Sequence, residues 1–296
     1  MPKITESTYQ DDLNKQKLRR INSRIDSLCN KYSVVLVDTN IIDLNDKSNY
    51  KFLTQDSPKD YNISALKCYS KFLRDFFGLL EKYPNLGSVC EVANEMNDLS
   101  KAVRNCYKYF GSKNEISCED DRKAFSEVGP ALKNIVNYFG LINDKITGSD
   151  ISQVDDTYSC LSTLVREMCL NSKVLGERKA RDMIVKGKNT DFNLVAKAIR
   201  FNLAGKDVAL VSEDRDITNI YYNSKKSIES GFLGSEAARN CALYQTSIYY
   251  FDSYGMLRIR SYLEGSGYFE DDDTKRFVLK NSKLVEDTKR IVTLAS

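Results

Sequence analysis

Four apolar residues in a row, Val34-Val35-Leu36-Val37, stop abruptly at Asp38. A strand that is apolar at every position offers no face to water, so it belongs inside a sheet covered by helices on both sides. Asp207 to Val211 repeats the pattern further along the chain. Between them, Thr190 is placed to cap a helix running through Leu194, Val195, Ala198 and Ile199, which Ala204-Gly205 then ends. Strand, helix and strand in that order predict a right-handed parallel crossover. Ser247 to Asp252 reads as a further strand, and Gly255 makes a turn into Met256 to Leu263, an edge hairpin.

Helical spacing accounts for most of the rest. Leu66, Tyr69, Leu73, Phe76, Phe77 and Leu80 mark a helix from Ile63 to Tyr83, stopped by Pro84-Asn85-Leu86-Gly87. Ser88 then suits the N-cap of a helix over Val89 to Leu99, on which Glu91 and Glu95 share a face. Helical patterns around Lys101 to Phe110, Asp121 to Phe139 and Ile151 to Leu170 read as an insertion spanning about 100–188. Residues 1–30 read as a polar helical arm with a basic cluster at Lys15, Lys17, Arg19 and Arg20, 31–252 as the α/β domain, and 253–296 as a C-terminal extension bearing the acids Glu270 to Asp273.

Composition narrows the chemistry. Among 296 residues there is no histidine, so acid–base or metal chemistry at neutral pH falls to carboxylates, hydroxyls, lysines or thiols. The eight cysteines form no Cys-x-x-Cys pair, which removes the usual basis for a structural zinc site. With 44 basic against 41 acidic residues the net charge is only +3, so any nucleic-acid surface is local. The polar N-terminus and the lack of a long apolar run predict a soluble, cytoplasmic protein without a membrane partner.

Functional residues of an open parallel sheet gather beyond the carboxyl ends of its strands. Asp38 ends one strand, Asp214 follows another, Asp191 opens the helix leading into it, and Glu95 arrives from a separate helix. Such acids repel one another unless protons or a cation intervene. Mg²⁺ or Mn²⁺, as one or two ions, is the expected cofactor, because both take oxygen ligands and leave room for a phosphate. Lys186 and Lys188, just ahead of Asp191, are placed to guide a phosphate backbone. Taken singly, each acid has the ordinary explanation of a turn or helix cap.

Ser33 to Ile42 (SVVLVDTNII), Ser88 to Met96 (SVCEVANEM) and Thr190 to Ile217 resemble, in that order, the motifs of the PIN-domain nucleases. The resemblance implies a PIN-like α/β/α sandwich with a central, mostly parallel sheet. It assigns Asp38, Glu95, Asp191 and Asp214 as catalytic acids and metal ligands, with Asp216 as an additional acid. Asn40 and Ser212 would orient Asp38 or a water on the metal, and Glu91 competes with Glu95 for the second position. The implied activity is metal-dependent hydrolysis of phosphodiester bonds in single-stranded RNA, of the endoribonuclease type. Length, the insertion and the extension depart from compact members of that family. Two alternatives stand beside it. One is an inactive RNA-binding or assembly module that uses its insertion for a protein partner or self-association. The other is a haloacid-dehalogenase-like phosphatase, disfavoured because Asn40 stands where that family has a second acid.

Overall fold

A computed structural model of the chain describes residues 6–42, 63–97, 108, 119–145, 161–171, 190–252, 255–263, 267–271, 277–280 and 283–286. The chain is α/β and divides into two compact units, Met1–Thr147 with Ser253–Met256, and Gly148–Asp252 with Leu257–Ser296.

In the first unit, strand β1 (Val34–Val37) pairs in parallel with the two-residue strand β2 (Leu86–Gly87), Val35 opposite Leu86 and Leu36 opposite Gly87. All four β1 side chains are at most 1% exposed. Each such burial is worth about 1.5–3 kcal/mol, which is why a strand this short holds its place. Helix α1 (Glu6–Lys31) is no free arm, since Leu18, Ile21, Ile25 and Leu28 form one buried stripe that packs on α3 (Ile63–Lys82). Charge along its other faces hides that stripe from a composition-based reading. Asn22 reinforces the contact by donating its amide to the Phe72 carbonyl at 3.2 Å. Helix α3 in turn packs on α5 (Glu119–Lys145), where the Phe77 and Tyr138 rings meet edge to face with centroids 6.0 Å apart and Ser70 donates its hydroxyl to Glu127 at 3.2 Å. Between β1 and α3 runs α2 (Thr39–Ile42), and after β2 comes α4, residues 90–97.

In the second unit, α6 (Leu161–Asn171) packs on α7 (Thr190–Leu203), which precedes β3 (Val208–Val211). The long stretch expected as one helical insertion is therefore shared, α5 lying in the first unit and α6 in the second. Helices α8 (Arg215–Glu229) and α9 (Ser235–Leu243) lead to β4 (Thr246–Phe251), which runs parallel to β3 with Val208 opposite Thr246. Strands β4 and β5 (Leu257–Leu263) form the expected antiparallel hairpin, and β6 (Gly267–Asp271) extends it. A small ribbon of β7 (Phe277–Lys280) and β8 (Lys283–Glu286) follows. Among the described residues no helix is long and apolar enough to cross a membrane.

A buried polar network locks α7, α8 and β4 together. Thr246 donates its hydroxyl to Asn202 Oδ1 at 2.8 Å, Tyr221 donates to the same oxygen at 3.3 Å, and the Thr246 N–H donates to the Tyr221 hydroxyl at 2.9 Å. Desolvation raises the pKa of the Tyr221 hydroxyl, which keeps it a neutral donor and acceptor.

Candidate functional site

Asp38 emerges where β1 ends and is only 4% exposed. Its carboxylate is oriented at both oxygens: the Thr39 N–H donates to Oδ1 at 2.7 Å and Asn40 Nδ2 donates to Oδ2 at 2.6 Å. The short helix α2 makes this possible, because turning the chain at once after the strand folds residues 39 and 40 back over residue 38. Thr39 also donates its hydroxyl to Glu95 Oε2 on α4. One residue therefore ties Asp38 to Glu95, with its amide on the first and its hydroxyl on the second. Glu91, on the same helix, neighbours Cys90, whose thiol pKa is raised first by partial burial and then by the Glu91 carboxylate.

Ser88 secures the arrangement from the other side. Helix α4 begins two residues after it, and its hydroxyl donates to the Val37 carbonyl at 2.5 Å, so the loop between β2 and α4 is pinned to the end of β1. That carbonyl lies just before Asp38 and needs a donor once the strand ladder runs out.

In the second unit Asp214 is the N-cap of α8, with extended backbone (φ −77°, ψ 122°), and accepts the Asp216 N–H at Oδ1 over 2.8 Å. Its own N–H donates to the Ser212 hydroxyl at 2.9 Å. Asp216 sits in the first turn of α8, where negative charge suits the exposed helix N–H groups. Asp191, half-buried, holds the corresponding place in the first turn of α7. Lys186 and Lys188 lie outside the described residues.

The loop carrying Asp214 is clamped by Arg260, a residue that sequence reasoning missed. Arg260 is 3% exposed on β5 and donates to the carbonyls of Ser212 at 3.0 Å and Glu213 at 3.2 Å, with its guanidinium 4.4 Å from the centre of the Tyr250 ring. Glu213 adds a second tie by accepting the Phe251 N–H at 3.0 Å. Thr39, the link between Asp38 and Glu95, was also missed, although its place directly after Asp38 in the Asp-Thr-Asn triplet was a visible signal.

These donors are oxygens, as a hard divalent cation requires. Asp38 presents such oxygens at a carboxylate that accepts from Thr39 and Asn40. Among the described residues no group of three His, Cys, Asp or Glu side chains gathers to hold a metal ion. Mg²⁺ is ordinarily held through one or two carboxylates with water filling the remaining positions, and Asp38 and Glu95 are carboxylates of that kind. Compared with known proteins, the chain matches no family model, no curated protein and no solved structure.

Proposed function

We propose that the chain is a metal-dependent ribonuclease of the PIN type, hydrolysing phosphodiester bonds of single-stranded RNA. The observation that carries this reading is the state of Asp38: a 4%-exposed carboxylate at the carboxyl end of a buried parallel strand, aligned by two donors and linked through Thr39 to Glu95. A nearly buried carboxylate is costly unless it is hydrogen-bonded and paired, and a divalent cation is one such pairing. A bound Mg²⁺ or Mn²⁺ would lower the pKa of the attacking water and offset charge on the phosphate.

The chain's own residues do the rest. Asp38 and Glu95 would hold the cation, Asn40 keeps the Asp38 plane from rotating, and Thr39 links the two acids. Asp191, Asp214 and Asp216 are assigned to the same reaction by the motif order alone, with Ser212 holding the Asp214 backbone. Lys186 and Lys188 are assigned to the RNA backbone on their sequence position.

Labelled single-stranded RNA incubated with Mn²⁺ and either wild-type protein or Asp38→Asn tests the reading. Loss of cleavage in the variant, with unchanged circular dichroism, is expected; equal cleavage by both proteins rejects the assignment. A second reading, an RNA-binding or assembly module without activity, is favoured by the lack of a three-carboxylate cluster among the described residues and by the capping role of Asp214. Calorimetry separates the two, since the module binds no Mn²⁺ even at millimolar concentration.

A further inference from the structure

Three residues, Ser212 to Asp214, connect β3 to α8. Capping α8 takes only the bond that Asp214 accepts from the Asp216 N–H, yet the connection is held from several further directions. The Ser212 N–H donates to the Tyr249 carbonyl of β4 at 2.9 Å, the Asp214 N–H to the Ser212 hydroxyl at 2.9 Å, and the Phe251 N–H to the Glu213 carboxylate at 3.0 Å. Arg260 adds the two successive carbonyls, Ser212 at 3.0 Å through Nη1 and Glu213 at 3.2 Å through Nη2. The Glu213 carbonyl, the Asp214 N–H and the Asp214 Cα lie in one peptide plane. A rigid guanidinium fork on that carbonyl and the one before it therefore fixes the plane from which the Asp214 side chain springs. A buried cation is weak evidence for a stability role, because an apolar side chain of similar volume often serves a fold equally well.

We propose that Arg260 is a positioning residue for the Asp214 carboxylate, so that β5, which the sequence places in the C-terminal extension, is part of the functional machinery. The assignment of Asp214 to RNA cleavage rests on the ribonuclease reading; the alignment of its peptide does not. At 3% exposure Arg260 is too buried to meet RNA, and it acts only through the Ser212 to Asp214 backbone. The same fork is why lysine cannot replace it: an ammonium on that stem is a point donor without the planar spread that spans two carbonyls.

The test uses the full chain with Arg260→Met, which keeps the apolar stem, and Arg260→Lys, which keeps the charge. Hydrogen exchange by NMR is read at the Asp214 amide, with the Thr246 amide of the same unit, bonded to Tyr221, as the internal control. Arg260→Met is expected to speed exchange at Asp214 roughly two- to tenfold, the range of one net hydrogen bond, and to leave Thr246 unchanged. Arg260→Lys is expected to fall between Met and wild type. In the RNA assay with Mn²⁺, kcat is expected to fall roughly 10- to 100-fold in Arg260→Met, the usual effect of losing a group that orients a ligand, while KM for RNA stays as it was. Unchanged exchange at Asp214 overturns the proposal, and so does equal acceleration at Asp214 and Thr246, which marks a support for the whole fold. Wild-type exchange and kcat in Arg260→Lys overturn it too, and decide the matter where Arg260→Met does not fold. Cleavage by wild type with kcat unchanged in Arg260→Met sinks the positioning role and spares the nuclease. Selective acceleration at Asp214 in a protein that cleaves no RNA upholds the alignment and sinks the nuclease.

Discussion

Asp214 carries two assignments that one substitution series can separate. As the N-cap of α8 its carboxylate satisfies the Asp216 N–H at 2.8 Å, while the proposed reaction needs its negative charge. Asp214→Ala removes both. Loss of a capping side chain costs about 1 kcal/mol, within a range of roughly 0.5–2. Asparagine caps as well as aspartate but carries no charge, so Asp214→Asn loses only the charge–helix interaction, about 0.3–1 kcal/mol at a partly exposed terminus. Hydrogen exchange at the Asp216 amide reads the cap directly, since that N–H is the one released. A cost of 1 kcal/mol corresponds to about fivefold faster exchange in the alanine variant, at roughly 1.4 kcal/mol per tenfold. The asparagine variant, which keeps the cap and loses only the charge–helix interaction of about 0.3–1 kcal/mol, should exchange more slowly than the alanine variant, which loses both. RNA cleavage should order differently, falling alike in both variants. If Asp214→Asn retains wild-type cleavage while Asp214→Ala loses protection, the residue is a cap and nothing more. If alanine leaves the Asp216 amide as protected as before, the capping geometry itself is refuted.

Thr39→Val keeps the shape of the residue and its amide but deletes the hydroxyl that reaches Glu95; cleavage or Mn²⁺ affinity should fall roughly 10- to 100-fold, the usual effect of removing a group that orients a ligand. Tyr221→Phe leaves the buried Thr246 N–H without its acceptor and should lower stability by about 1–3 kcal/mol in urea unfolding, with no effect on cleavage at saturating RNA. Burial raises the thiol of Cys241 to about 11. Because the folded pKa lies above the unfolded one, the stabilisation it reflects is complete below about pH 8.5, where the thiol is protonated in both states, and is lost as pH rises towards 11. Alkaline unfolding followed by circular dichroism should therefore be delayed in Cys241→Ala relative to its own neutral-pH stability. At pH 8, mass spectrometry after brief iodoacetamide treatment should find exposed Cys90 alkylated before Cys241.

The strands that could be read from the sequence were those with a local cause. Val34–Val37 and Val208–Val211 are apolar throughout, and the β4–β5 hairpin has Gly255 at φ +73° in its connection, a conformation few other residues accept. A side chain there would also meet the Lys17 carbonyl at 2.8 Å. Leu86–Gly87 reads instead as the end of a helix, because two residues carry no periodicity and only the pairing with Val35 and Leu36 makes them a strand. The long apolar spacing of α3 was legible; the buried stripe of α1 was masked by the charged residues around it. Residue types and their order nominate Asp38, Glu95 and Asp214 as candidates, but which donor reaches which oxygen is decided by contacts 56 residues apart, as between Thr39 and Glu95. Arg260 illustrates the limit. Alternation along β5 gives no reason to bury a guanidinium, and charged residues are seldom buried without partners; among its partners are two carbonyls nearly fifty residues away.

Ser88 and Arg260 answer the same physical demand in the two units. Where a strand ends, its ladder stops supplying partners, and backbone carbonyls near the end must find donors from side chains or water. Val37 receives the Ser88 hydroxyl; Ser212 and Glu213 receive the Arg260 guanidinium. Each donor is bonded to backbone within two residues of an acid assigned to catalysis, so satisfying the backbone also sets the position of Asp38 or Asp214. A hydroxyl suffices for one carbonyl, whereas two successive carbonyls call for the broad fork of an arginine. The two carbonyl bonds make Arg260 a support for the loop that carries Asp214.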